Sequence, residues 1–182
     1  MSFLRSWQSL IICVVLSVAF ASAGAVLTNL DDWYFNLQQP SWKPPDAAFG
    51  LIWSTIFSFC AAAAWLSWNS TNNHNRRMVL LVLYLVNEGL NILWSVLYFQ
   101  MHRPDWSFIE CFFLWSSVLS LILYQWKISK WASTLVMPYL VWVTIATVLN
   151  WQIIVLNGFW ILFSSVSKIW ADDQPKFIKL IQ

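Results

Sequence analysis

The chain has 182 residues, of which 59% are hydrophobic and only 10% are charged. Because soluble domains carry roughly 25% charged residues, this composition excludes a water-soluble globular protein and indicates one that meets lipid. The net charge of +2 is spread along the chain without a basic stripe, which argues against nucleic acid as a partner.

Five apolar runs follow one another along the chain, each about as long as the roughly twenty residues that a membrane-spanning helix needs. They cover approximately residues 7–27, 47–68, 78–99, 106–126 and 131–156. In lipid only helices and closed barrels satisfy all backbone hydrogen bonds, and these runs lack the alternation of barrel strands. The sequence therefore predicts an all-α membrane protein, a five-transmembrane-helix bundle formed by residues 1–157.

The first run allows a second interpretation. Arg5, an apolar stretch and Ala21-Ser22-Ala23 are typical of a signal peptide with a cleavage site. However, the apolar character continues to Leu30, which is long enough to cross a bilayer. We therefore expect a retained first helix, with the signal peptide as the alternative.

The connection between the first two helices, residues 31–45, is rich in aromatic residues and proline rather than polar residues. Prolines restrict the backbone and so lower the entropy cost of order. A segment with Tyr34, Pro40 and Trp42 is expected to pack against the protein. The sequence predicts an ordered first loop that acts as a lid over the helix bundle.

The third helix carries polar residues at the depth of the bilayer. Steps of three and four residues place six side chains on one face: Tyr84, Asn87, Asn91, Trp94, Ser95 and Tyr98. Polar groups at this depth are costly and normally face the bundle interior. Two readings stay open, namely hydrogen bonds between helices that hold the bundle together and the lining of a ligand cavity.

Two acids also lie inside predicted helices. Glu88 lies in the middle of the third helix, where it must be protonated or paired with a donor from another helix. Glu110 lies about one turn inside the fourth helix. Arg103 precedes it by seven residues and points the same way, so Glu110 is either solvated or close to that charge.

Aromatic stripes mark two further helices. Phe49, Trp53 and Phe57 follow at steps of four on the second helix, and Tyr139, Trp142, Ala146 and Asn150 form a similar stripe on the fifth. A single stripe is usually plain packing. Three polar or aromatic faces beneath an aromatic lid together predict a pocket for a flat, mostly apolar ligand.

The chain carries no motif of a soluble enzyme, such as a nucleophile elbow, a phosphate-binding loop or a zinc protease motif. Both histidines, His74 and His102, fall in connecting loops, which argues against a haem held by two histidines within the membrane. The three cysteines are far apart and read as small buried hydrophobes. We expect no metal site and no obligatory cofactor, and a C-terminal extension, residues 158–182, that is partly helical.

Three sets of motifs resemble the translocator protein family, also called the TspO/MBR or peripheral-type benzodiazepine receptor family. The first loop is similar to the pattern W-Y-x-x-L-x-x-P-x-W-x-P-P…W through Trp33-Tyr34, Leu37, Pro40-Ser41-Trp42, Pro44-Pro45, Phe49-Gly50 and Trp53. The third helix contributes Asn91-x-x-Trp94-Ser95, and the fifth contributes Pro138-Tyr139-Leu140-x-Trp142 and Leu149-Asn150. The resemblance covers roughly residues 5–157.

The resemblance implies a five-helix bundle, commonly a homodimer, with a pocket beneath the first loop that binds tetrapyrroles such as protoporphyrin IX or haem. Together with the stripes, it predicts twelve ligand-binding residues: Tyr34, Pro40, Trp42, Phe49, Trp53, Phe57, Asn87, Asn91, Trp94, Tyr139, Trp142 and Ala146. The sterol-associated motif of the family needs a tyrosine on the fifth helix, followed within a few residues by Lys or Arg. Here Trp151 follows Leu149-Asn150 and the next basic residue is Lys168, so the resemblance does not support sterol binding.

The expected function is that of a membrane-embedded tetrapyrrole receptor or regulator of the tryptophan-rich sensory type. Three alternatives stay open: an enzyme for light- and oxygen-dependent porphyrin breakdown with Trp53 and Trp142 as catalytic candidates, a small transporter that uses Glu88, and a structural subunit of a larger complex. The short N-terminus without a transit peptide favours a bacterial cytoplasmic membrane, with the mitochondrial outer membrane next.

Overall fold

The structure, a computed structural model, describes residues 3–159, with side chains from Trp7 onward. Within these residues, five long helices are apolar enough to cross a membrane: α1 (Phe3–Leu27), α3 (Asp46–Asn69), α4 (His74–Ser95), α5 (Pro104–Trp126) and α6 (Lys130–Asn157). A short helix, α2 (Asp32–Asn36), lies in the first loop. This confirms the predicted five-helix membrane bundle, and the chain is a multi-pass integral membrane protein.

Helices α4 and α6 begin four residues and one residue before the predicted apolar runs, because polar caps start them. The Asn73 side chain accepts the Arg76 amide at 3.1 Å before α4, and Ser129 accepts the Ala132 amide at 3.3 Å before α6. Such caps satisfy amides that have no partner within the helix. Hydropathy detects only the apolar part of each helix, so the charged first turn of α4 escaped it.

Helix α4 continues into a π-helical turn, Val96–Gln100, that the sequence did not predict. Its middle residues, Leu97, Tyr98 and Phe99, are buried. A π-helical turn carries one extra residue per turn and so rotates the side chains that follow it. Here it turns both Tyr98 and Phe99 toward the first loop.

The bundle has two buried clusters. The larger joins α3, α5 and α6 and includes Ala63 and Ala132, which are fully buried. Small residues let helix backbones approach closely in lipid, where van der Waals packing drives association. The smaller cluster joins the first loop to the π-helical turn and α6.

Helix α1 lies at the edge of the bundle as the first of the five spans. None of its most apolar stretch is buried, although Ser17 donates a 2.8 Å hydrogen bond to the Phe57 carbonyl of α3. Helix α6 ends at Asn157 and is followed by Gly158, whose φ of 70° suits a glycine cap. The predicted C-terminal extension lies outside the described residues, apart from Gly158 and Phe159.

Candidate functional site

A cavity of about 390 Å³ lies beneath the first loop, in the half of the bundle where α1 ends and α3 begins. We call it the loop cavity. All five spans and the first loop contribute to its walls. Eight of the twelve residues predicted to bind ligand line it: Tyr34, Phe49, Trp53, Phe57, Asn91, Trp94, Trp142 and Ala146.

Eight of the residues that line the loop cavity are aromatic, and edge-to-face contacts hold several of their rings in place. Phe49 of α3 meets Trp142 of α6 with ring centres 5.6 Å apart at 72°, and Trp53 meets Tyr139 at 5.9 Å and 74°. Each such pair contributes about 0.5–1.5 kcal/mol beyond area burial. The contacts join α3 to α6, so the ring orientations are fixed before any ligand arrives.

On the α4 side, Trp94 stacks on Tyr98 with ring centres 5.1 Å apart at 15°. Phe99 packs against both rings at their edges, at 5.8 Å from Trp94 and 4.9 Å from Tyr98. These contacts depend on the π-helical turn, which brings residues 98 and 99 to the same wall as Trp94. The wall therefore presents flat ring surface rather than flexible aliphatic chains.

The loop cavity is lined by both hydrogen-bond donors and acceptors, and its acceptors include the Gln39 side-chain oxygen, which is buried and finds no partner among the described residues. The Asn91 amide donates to the Tyr139 hydroxyl at 3.1 Å, so part of it is already satisfied. In contrast, the indole N–H groups of Trp94 and Trp142 are buried and find no acceptor among the described residues. A buried donor without a partner costs about 1–3 kcal/mol. A ligand with a carboxylate or carbonyl oxygen could relieve that cost.

The first loop is tied down at several points. Both hydrogen bonds between Asn157 and the Gln38 backbone, at 2.8 and 3.0 Å, attach it to the end of α6. The Tyr34 hydroxyl donates to Asp46 at 2.6 Å, and Lys43 pairs with the same carboxylate. Burial raises the pKa of Tyr34 above its ordinary value, so the phenol stays a neutral donor. The loop is thus an ordered cover over the cavity.

A second anchor of the first loop involves His102, which adopts a positive φ of 53°. Its ring stacks on Trp33 with centres 4.3 Å apart at 14°, and its Nε2 lies 3.1 Å from the Asp31 carboxylate. A positive φ is uncommon for residues other than glycine and must be held by its surroundings. The contacts with Trp33 and Asp31 supply that support.

Four of the twelve predicted residues do not line the loop cavity. Asn87 donates to Ser117 of α5 at 2.8 Å and is almost fully buried, which matches the helix-to-helix alternative. Tyr139 packs behind Trp53. Pro40 is buried within the loop, and Trp42 points outward and donates to Gln152 at 2.5 Å. These residues support the walls or the lid.

The two acids lie apart from the loop cavity. Glu88 lines a separate cavity in the opposite half of the bundle. Glu110 is 4% exposed, and neither of its carboxylate oxygens finds a partner among the described residues. Neither alternative for Glu110 holds: the residue is buried rather than solvated, and Arg103 instead forms hydrogen bonds of 2.6 and 2.9 Å with the nearer Asp105.

The sequence did not predict several of the residues that line the loop cavity. Ala21, Gly24 and Ala25 of α1 form part of the wall, as do Cys111 and Leu114 of α5. The small residues of α1 recur at steps of three and four, a signal that could have been read from the sequence. The contribution of α5 left no such signal, because its cavity-facing residues are ordinary apolar ones.

No group of three or more His, Cys, Asp or Glu side chains within residues 3–159 is arranged to hold a metal ion. Among the described residues, those lining the loop cavity include no histidine, and their only thiol is that of Cys111. These residues offer aromatic and apolar surface together with a few hydrogen-bonding groups.

Comparison with known proteins agrees with the fold and the motifs. A family model described as the TspO/MBR family matches residues 10–156. The chain is 33% identical to the tryptophan-rich protein TspO of Chlorobaculum tepidum, over 82% of this chain and 96% of that protein. It is 29% identical to the tryptophan-rich sensory protein of Cereibacter sphaeroides, over 83% and 92%, and 28% identical to the human translocator protein, over 65% and 71%.

Proposed function

The chain belongs to the TspO/MBR family, and from this premise we propose that it is a membrane receptor or regulator that binds a tetrapyrrole such as protoporphyrin IX or haem in the loop cavity. The names of its relatives, which include a sensory protein, support a receptor or regulatory role. The observation that carries the proposal is the aromatic cavity of about 390 Å³ beneath a tied-down loop.

The size and shape of the cavity support a planar guest. Small-molecule sites have volumes of about 300–1,000 Å³ and are mostly apolar with a few polar groups. Here the rings of Phe49, Trp53, Trp94 and Trp142 come from three different helices and face one space. A flat conjugated ring system buries apolar area against all of them, whereas a flexible chain leaves part of each ring face uncovered.

The polar groups support a ligand with carboxylates. Protoporphyrin IX carries two propionates, and the free indole N–H groups of Trp94 and Trp142 are suitable donors for such oxygens. Lys43, a residue of the first loop, also lines the cavity and carries a positive charge, although it is paired with Asp46. A wholly apolar ligand leaves these donors unsatisfied and is expected to bind less tightly.

The proposal is tested by titrating the purified full chain with protoporphyrin IX and following the Soret band and tryptophan fluorescence. We expect saturable binding at micromolar or tighter affinity. The double variant Trp53→Ala, Asn91→Ala should lose most of it. Trp131→Ala is the matched control, because Trp131 is 79% exposed and far from the cavity lining. Unchanged binding in the double variant contradicts the proposed site.

The enzymatic alternative uses the same cavity. Trp53 and Trp142, the two catalytic candidates, both line it, which is the condition that oxidative porphyrin breakdown requires. An enzyme should consume porphyrin under light and oxygen, and Trp53→Phe or Trp142→Phe should stop that loss while binding persists. Porphyrin that stays intact over many equivalents favours the receptor instead.

A further inference from the structure

A second cavity, of about 200 Å³, lies in the half of the bundle away from the first loop. Its walls come from residues 9–20 of α1, residues 60–68 of α3 and residues 80–88 of α4. We call it the Glu88 cavity. It shares no lining residue with the loop cavity, since its part of α4 ends at Glu88 and that of the loop cavity begins at Asn91.

Glu88 is the charged residue in this wall. The residue is 8% exposed, and it takes part in none of the ion pairs between described residues. Within the part of the chain that the structure describes, the lining includes no lysine, arginine or histidine. A buried carboxylate normally has a partner, because an isolated charge in an apolar medium is very unfavourable. Glu88 is therefore either a neutral acid or paired with a group from outside the described residues, and a ligand amine is one such group.

The rest of the wall is apolar and aromatic. Ile12, Leu16 and Phe20 come from α1, and Leu81 and Leu85 come from α4. Two of these, Ile12 and Leu85, are at least half exposed on the outer surface, so the cavity lies next to the lipid. An apolar molecule dissolved in the membrane can therefore reach Glu88 without crossing the loop cavity.

Arg77 is too distant to neutralise Glu88. Its guanidinium lies over the Trp68 ring at 5.2 Å and donates to the Trp68 carbonyl at 3.2 Å. Arg77 and Glu88 are eleven residues apart on α4, which is about 16 Å along the axis. Arg77 is thus held at Trp68 and does not line the Glu88 cavity.

From these observations we propose that the Glu88 cavity is a second binding site, which takes a small lipid-soluble amine with its ammonium group on Glu88 and its apolar body between α1, α3 and α4. The volume sets the size of the ligand. A protein cavity of about 150 Å³ holds one benzene molecule, so about 200 Å³ suits a single ring with a short amine chain.

The test uses the full chain in nanodiscs of zwitterionic lipid and calorimetric titration with 2-phenylethylamine, with empty nanodiscs to subtract partitioning. We expect saturable binding that Glu88→Gln weakens by about tenfold or more, because a charge-assisted hydrogen bond is lost. Glu110→Gln is the matched control, since Glu110 is equally buried but lines neither cavity. It should bind the amine normally.

Three results overturn the proposal: equal binding by Glu88→Gln, equally tight binding of the uncharged 2-phenylethanol, or displacement of the amine by protoporphyrin IX. If Glu88→Gln does not fold, Ala64→Phe fills the cavity and should abolish amine binding. Ala62→Phe, on the same helix but in neither cavity, should leave amine binding intact. Because the two cavities are separate, failure here leaves porphyrin binding untouched.

Discussion

A substitution at Trp142 allows ring stacking and hydrogen bonding in the loop cavity to be measured separately. Trp142→Phe keeps an aromatic ring against Phe49 but removes the unpaired donor. One hydrogen bond contributes about 0.5–1.5 kcal/mol net, so the affinity for protoporphyrin IX should fall roughly threefold to tenfold. Fluorescence titration measures this, with Trp131→Phe as the control. An unchanged affinity means that the ligand does not use this donor.

The contact between Asp31 and His102 should make the stability of the first loop depend on pH. The Tyr34 amide and the His102 ring hold the pKa of Asp31 below its ordinary value of 3.8. A lowered pKa in the folded state gives stability that is present above the unfolded-state pKa and is lost as the pH falls through the folded-state pKa.

Asp31→Asn should therefore lower the melting temperature at pH 6, and the difference from the parent should vanish as the pH falls well below 3.8. Thermal unfolding of the detergent-solubilised chain at a series of pH values measures it. Asp32→Asn, at the neighbouring position, is the matched control. A difference that stays constant down to pH 2 would show that charge on Asp31 plays no part.

At the scale of elements, the first loop and α6 are joined through Asn157. Asn157→Ala removes two hydrogen bonds to the Gln38 backbone and should loosen the lid without disturbing the walls. We expect faster amide exchange in residues 31–45 and faster porphyrin release. Hydrogen exchange and stopped-flow fluorescence measure these rates. Asn69→Ala, at the opposite end of the bundle, should change neither.

At the scale of the whole molecule, the interior of the bundle separates into residues that hold helices together and residues that line cavities. Asn87 belongs to the first kind through its bond with Ser117. Asn87→Leu should lower the stability by about 0.6 kcal/mol, the average for such bonds within membranes, and leave the porphyrin affinity unchanged. Unfolding in mixed detergent and titration measure the two effects. A large loss of porphyrin affinity would instead show that Asn87 contributes to ligand binding, as the sequence predicted.

The homodimer implied by the family resemblance stays a prediction. Light scattering of the detergent-solubilised chain, corrected for bound detergent, should give twice the mass of 21.3 kDa. A single-chain mass at micromolar concentration would contradict it.

The sequence by itself determined the membrane fold, because bilayer thickness and backbone hydrogen bonding leave helices as the only form for long unbroken apolar runs. It also determined the aromatic face of α3, since a period of four along one helix fixes which side chains share a side. Tertiary structure alone decided which of these faces meet. Asn87 and Asn91 lie on one face of α4 and are one turn apart, yet only Asn91 reaches the loop cavity. The Asn87 amide instead donates a hydrogen bond to Ser117 of α5. The π-helical turn that carries Tyr98 and Phe99 into the wall, and the isolation of Glu88 in a second cavity, likewise depend on contacts between distant segments that local periodicity does not encode.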